Sequence, residues 1–273
     1  MTTFAAVVYL CACGLAPAQG QGHEIRYPLE EGTVEYRFRG GVVRSYYGSV
    51  DAPVRRRADV SGVFTVKTER ADGEWVVVGR AREAKVTLDG RPASAEVAAA
   101  VAAGVWRRAV KGGEAVYSVD GSPAVPSALN APLWPLGWAP LVPKRSLRIG
   151  DEVVVTFHMP VQAFLEDDPI GSLEVPVRLL FVGPERQPYG SVQAFRFQTE
   201  FSVNKKIRHP EGPNLTLRGT VRILGDLKVS RRDGRIEEST VLMTVSLRLE
   251  GPEYEFGFSK SDASIAAHFE RVR

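Results

Sequence analysis

The sequence predicts a mainly β protein: antiparallel, twisted sheets in a sandwich or open half-barrel, with one α-helix near residues 94–110. Three observations predict it. Apolar and polar residues alternate over most of the chain, Asp-Gly pairs punctuate the alternating runs, and one segment alone has a four-residue apolar period. Strands with one face on a core and one in water read with this period of two.

The chain starts differently. Phe4 to Cys13 is an apolar run of ten residues, followed by Ala16-Pro17-Ala18. The run is too short to span a bilayer, which needs about 20 residues, and has the length of a signal h-region. Residues 1–18 therefore read as a signal peptide cut before Gln19, although no Lys or Arg precedes the run. Leu10-Cys11-Ala12-Cys13 also fits a lipobox, which would leave Cys13 lipidated as the first mature residue. A buried first strand is the third reading. The expected location is exported, periplasmic or extracellular, with a lipid anchor through Cys13 as the alternative. Both cysteines lie in this segment, so a chain cut after Ala18 has no thiol, no disulfide and no thiolate metal ligand.

The first β half, residues 19–147, opens with Val34, Tyr36 and Phe38 alternating with Glu35, Arg37 and Arg39. Asp72-Gly73 marks a hairpin between a strand ending near Thr68 and one starting at Trp75. Asp-Gly suits a type I′ turn, whose two central residues need positive φ. Asp89-Gly90 and Asp120-Gly121 mark further turns. Ser94 to Lys111 reads as the helix: Ser94 can cap it, and Val97, Val101 and Val105 recur every four residues. Arg107, Arg108 and Lys111 suit its C-terminal dipole, and Gly112-Gly113 stops it. Residues 122–143 hold six of the 18 prolines with Trp134 and Trp138. Four leucines lie among them, too much apolar surface for a solvated linker, so the segment reads as a strap packed on the sheet.

The second β half, residues 148–273, is more regular. Val153, Val155 and Phe157 alternate, as do Val175, Val177, Leu179 and Phe181, and again Phe195, Phe197, Phe201 and Val203. The longest alternation runs from Leu215 to Val229. It is followed, after Asp233-Gly234, by Val241, Met243, Val245, Leu247 and Leu249. Each half has a Gly-led strand and an Asp-Gly hairpin, which raises the expectation of an internal duplication.

Composition narrows the function classes. A net charge of +3 in 273 residues is too slight a bias to imply nucleic acid or a membrane surface, and no mature segment reads as transmembrane. The order of Gly-Thr strand, helix, Tyr117-Ser118-Val119-Asp120, Leu141-Val142-Pro143 and Ile149-Gly150-Asp151 resembles a class of uncharacterised exported bacterial β-rich proteins. Members of that domain of unknown function carry a proline-bearing segment followed by Gly-Asp and an aromatic. Glu152-Val153 takes the aromatic's place here. The resemblance implies an exported β fold, with no activity and no site residues.

No catalytic or metal signature appears. His23, His158, His209 and His268 are dispersed, without the spacing of a zinc motif, and no nucleophile elbow or phosphate-binding glycine loop is present. Glu166-Asp167-Asp168 lacks calcium-loop spacing. Arg55-Arg56-Arg57 and Asn204 to His209 read as charged strand ends that discourage edge pairing, or as contacts to an anionic polymer or head group. Arg80 and Arg82 would face inward on an unbroken strand, whereas a bulge near Gly79 would return them to solvent. The expectation is a non-enzymatic envelope protein, without cofactor, that binds an apolar or amphipathic ligand or a protein partner. Trp106, Trp134 and Trp138 are its candidate ligand-binding residues. The alternatives are a structural or assembly protein acting through sheet edges, or an unrecognised hydrolase.

Overall fold

The computed structural model describes residues 22–25, 31–47, 53–71, 74–103, 105–111, 114–120, 145–160, 172–208, 214–251 and 260–273. The expected signal segment, the strap, the Asp72-Gly73 turn and the acidic loop at 166–168 lie outside them.

The architecture is one large antiparallel sheet. Its strands are β2 (Gly32–Tyr47), β3 (Val54–Ala71), β4 (Glu74–Leu88), β6 (Val105–Lys111), β7 (Glu114–Asp120), β9 (Glu152–Pro160), β10 (Ser172–Gln187), β11 (Gly190–Arg208), β12 (Asn214–Ser230), β13 (Ile236–Glu250) and β14 (Lys260–Arg271). Their order is β7-β6-β4-β3-β2-β14-β13-β12-β11-β10-β9, and the short β5 (Arg91–Pro92) hangs on β4. Each flank is a run of antiparallel neighbours, and β2 and β14, far apart in sequence, join the flanks. A separate ribbon pairs β1 (His23–Ile25) with β8 (Arg145–Leu147).

The alternation is what curls this sheet. Even-numbered residues of β2 from Val34 to Tyr46, Gly40 apart, and odd-numbered residues of β13 from Val241 to Leu249 point to one side, where they are buried. The inward residues of β2, β3, β4 and β9 to β14 form a single apolar cluster, so the sheet is bent around one core. The edge strands β7 and β9 come within 8 Å (Cα to Cα) of each other but do not pair, leaving an open half-barrel.

Two elements lie against the concave side. Helix α1 (Ala95–Ala103) packs on β4, with Val101 buried in the core and Val97 half-buried against it. The Ser94 hydroxyl accepts the Val97 N–H at 3.3 Å, the expected N-cap. On the opposite flank the β1–β8 ribbon buries Leu147, and the His23 ring meets Phe181 edge-on at 5.7 Å.

The helix is shorter than the sequence predicts. It ends at Ala103, and residues 105–111 are strand β6, paired with β4 and β7. The period through Val97, Val101 and Val105 therefore crosses an element boundary. Trp75 to Arg80 offer β6 a ladder of hydrogen bonds that outweighs a helical continuation.

The turns are also redistributed. Type I′ geometry appears at Asp89-Gly90, where φ is 49° and 80°. At Asp233-Gly234 only the glycine takes positive φ, and the Ser230 N–H bonds the Arg235 carbonyl at 2.8 Å across a wider loop. At Ile149-Gly150-Asp151, Gly150 has φ 93° and Asp151 accepts the Arg148 N–H at 2.8 Å. The backbone of this corner bonds Phe181 at both N–H and C=O, which fixes the entry to β9.

Candidate functional site

The concave side is the candidate site. Its walls are aromatic: Phe38 meets Phe64 edge-on at 6.0 Å and stacks with Phe269 at 6.3 Å, and Phe181 tilts against Phe195 at 5.2 Å. These rings are fully buried, and such pairs add favourable quadrupole contacts to area burial.

A charged group interrupts this surface. Arg44 shares the inward parity of Val42 and Tyr46 and is 1% exposed. Its Nη1 donates to the Tyr46 hydroxyl at 2.9 Å, and its guanidinium lies 5.7 Å from the centre of the Tyr46 ring. Ala263 stands beside it on β14, leaving room for the long side chain. A buried guanidinium needs acceptors around it, so Arg44 and Tyr46 form a polar point in a mostly apolar wall. Alternation alone could have identified it, because Arg44 continues the series Val34, Tyr36, Phe38 and Val42.

Of the three tryptophans expected to line the site, Trp106 sits on β6 and not on the helix, paired through its backbone with Gly79 and Val119. Trp134 and Trp138 lie outside the described residues. Arg80 and Arg82 are exposed, as a bulge requires. The break is at Glu83, however, not Gly79: Glu83 has φ 58°, and the pairing of β3 with β4 shifts opposite Gly62. Gly79 has another use, since a side chain there would collide with the buried Phe64 ring. Arg82 pairs with Glu35 at 3.0 Å in solvent.

A second polar cluster closes the rim near the β12–β13 turn. Arg271 bridges Asp233 at 2.8 Å and Glu237 at 2.9 Å. Arg273 bonds Glu237 at 3.0 Å and stacks on Tyr189 at 3.5 Å. Burial alone would raise the Asp233 carboxyl, but hydrogen bonds from Arg271, Ser230 and the Arg235 amide together hold it below its ordinary value. Burial pushes the Tyr36 phenol far up, against the opposing fields of Arg271 and Arg235. The cluster ties β14 and the turn together beside β2.

The described histidines are scattered: His23 on the ribbon, His158 on β9 opposite Glu174, and His268 with its Nδ1 3.1 Å from the Thr240 hydroxyl. Among the described residues no three His, Cys, Asp or Glu side chains gather as metal ligands, and no helix is long and apolar enough to cross a membrane. Arg56 and Arg57 are tied to Asp89 and Asp59.

No family model and no curated protein matches the chain. Among solved structures, lipovitellin, in a structure concerned with its lipid–protein interactions, is similar over 90% of this chain at 11% identity, with a TM-score of 0.44. The chain spans 25% of that protein's length. DynF of the dynemicin biosynthesis pathway of Micromonospora chersina matches over 99% of this chain and 94% of its own, at 10% identity and a TM-score of 0.24. A protein described as exported, with a YmcC-like fold, from Bacteroides fragilis matches over 92% of this chain and 100% of its own, at 12% identity and a TM-score of 0.24. Superpositions this loose carry no inference about function.

Proposed function

We propose that this is an exported, non-catalytic protein that holds an apolar or amphipathic ligand on the concave side of its sheet. The observation that carries the reading is the incomplete closure. A sheet long enough to curl around one core leaves β7 and β9 side by side but unpaired, and such half-open barrels take ligands at their mouths. The walls are aromatic, and Arg44 with Tyr46 offers one polar anchor for an amphipathic molecule. The strap's neighbours in sequence support the same reading. It follows β7 at the open edge and precedes β8, whose ribbon meets Phe181 on the concave side. Trp134 and Trp138 are the residues we assign to ligand contact, each with an indole N–H suited to a half-wet groove.

The test is tryptophan emission before and after delipidation, together with native mass spectrometry of protein taken from its own host. A retained ligand and a spectral shift on its removal are expected. Trp134→Ala should weaken ligand retention more than it lowers stability. An unchanged spectrum, no bound mass and a stability loss of about 3–5 kcal/mol in Trp134→Ala would mean the strap is core only.

A further inference from the structure

The convex side of the sheet carries a trough of its own, of about 810 Å³, over the middle strands. The strand register shows how it is built. One outward row crosses five strands as Thr240, His268, Arg39, Ser61 and Lys85. The next row is Leu242, Ala266, Gly41, Asp59 and Thr87. Small residues in these rows, Ser61, Gly41 and Ala266, make the depression, and all ten residues line it.

Its charges are unevenly matched. Asp59 is engaged: Arg57 donates to its carboxylate at 2.8 and 3.1 Å, and the Thr87 hydroxyl lies 3.4 Å away. Gly41 permits this, because the Asp59 carboxylate occupies the space a Cβ there would need. Arg39 and Lys85 make no ion pair among the described residues. They stand two strand spacings apart, roughly 10 Å, with only the Ser61 side chain between them. Two cations flanking a hydroxyl suit an anionic group that both can reach. Beside them Leu242 is 44% exposed, in the row whose centre is Ala266 and Gly41.

We propose that this trough binds amphipathic anions: a carboxylate or phosphate ester held between Arg39 and Lys85 and hydrogen-bonded by Ser61, with its hydrocarbon over Gly41, Ala266 and Leu242. The site is on the opposite side of the sheet from the concave site and stands independently of it.

Isothermal titration at low salt with inorganic phosphate, decanoate and decyl phosphate tests the assignment. Decanoate and decyl phosphate should bind at least about tenfold more tightly than inorganic phosphate, the effect of one well-placed apolar contact set. Arg39→Gln and Lys85→Gln should each weaken both by about tenfold, as for a lost charge-assisted hydrogen bond. Arg80→Gln, exposed on β4 outside the trough, should leave both unchanged. Equal affinity for phosphate and decyl phosphate would overturn the amphipathic ligand and leave a free-phosphate site. Binding undiminished in the Arg39→Gln/Lys85→Gln double variant would overturn the trough and return the ligand to the concave side. Absence of binding by all three probes would overturn it outright.

Discussion

The two flanks of the sheet fill the space inside it by different means. On the β10–β13 flank the inward residues are large: Phe195, Phe197, Leu215, Leu217, Ile223, Leu227, Met243, Leu247 and Leu249, none more than 3% exposed. The β1–β8 ribbon adds Leu147 to them and sets the His23 ring against Phe181. On the β4 flank the inward series includes Gly79, Ala81 and Ala84, which leave a hollow. Helix α1 fills it with Val97 and Val101, and the Phe64 ring covers Gly79. Small inward residues therefore mark where a helix, and not the sheet's own side chains, supplies the bulk.

Four substitutions sharpen or break this contrast. The largest effect belongs to the self-filled flank: Phe197→Ala should lower stability by about 3–5 kcal/mol in chemical denaturation, because its neighbours are strands that cannot collapse into the void. A loss near 1 kcal/mol would show that the flank is loosely packed after all.

The seam between the flanks should come next. Arg271→Gln removes one cation from two carboxylates and should cost about 2 kcal/mol at neutral pH, the range for hydrogen bonds to charged groups. The sign of its pH dependence follows from Asp233, whose folded pKa is depressed. That stabilisation is present above the ordinary carboxylate value of 3.8 and is lost as pH falls through the lower folded value. The gap between wild type and Arg271→Gln should narrow during acid titration below pH 3.8, followed by circular dichroism. A constant gap would remove Asp233 from the account.

On the helix-covered flank, Val101→Ala should cost about 1–2 kcal/mol, two methyl groups' worth of burial with partial relaxation of a short helix. Hydrogen exchange should speed up in α1 before β4. A loss equal to that of Phe197→Ala would erase the distinction between the flanks. The smallest effect should be a gain. The Ser239 hydroxyl is buried without a hydrogen-bond partner among the described residues, so Ser239→Ala should be neutral or stabilising by up to about 1 kcal/mol. A fall in melting temperature would reveal a partner such as buried water.

The same contrast explains what the sequence makes legible. The long strands of the second half could be read from alternation because each strand there satisfies one core face and one wet face. The turn marked by Asp233-Gly234 lies between β12 and β13, as that pair predicts. The β4–β6 region was harder. An Ala- and Val-rich stretch fits a helix and a strand equally well, and the choice at 105–111 is made by a ladder to β4 that no local pattern contains. Gly104, followed by β-branched Val105, is the signal that could have stopped the helix earlier. Arg44 is legible by parity, whereas Arg80 and Arg82, inward on an unbroken strand, are turned outward by the bulge at Glu83. The convex trough was not legible at all, since its charged row draws one residue from each of five strands and exists only through their register.

The junction of β2 with β14 has a consequence for how the chain reaches this form. β2 and β3 are neighbours in sequence, but the other edge of β2 must wait for β14, the last strand in chain order. Such long-range pairing slows folding and leaves a 16-residue edge open to unwanted partners in the meantime. Arg37, Arg39 and Arg44 lie along that waiting edge, and an inward-pointing charge is among the devices that discourage premature pairing. The guanidinium that is shut inside the finished protein thus lies, until β14 docks, on the open edge of β2.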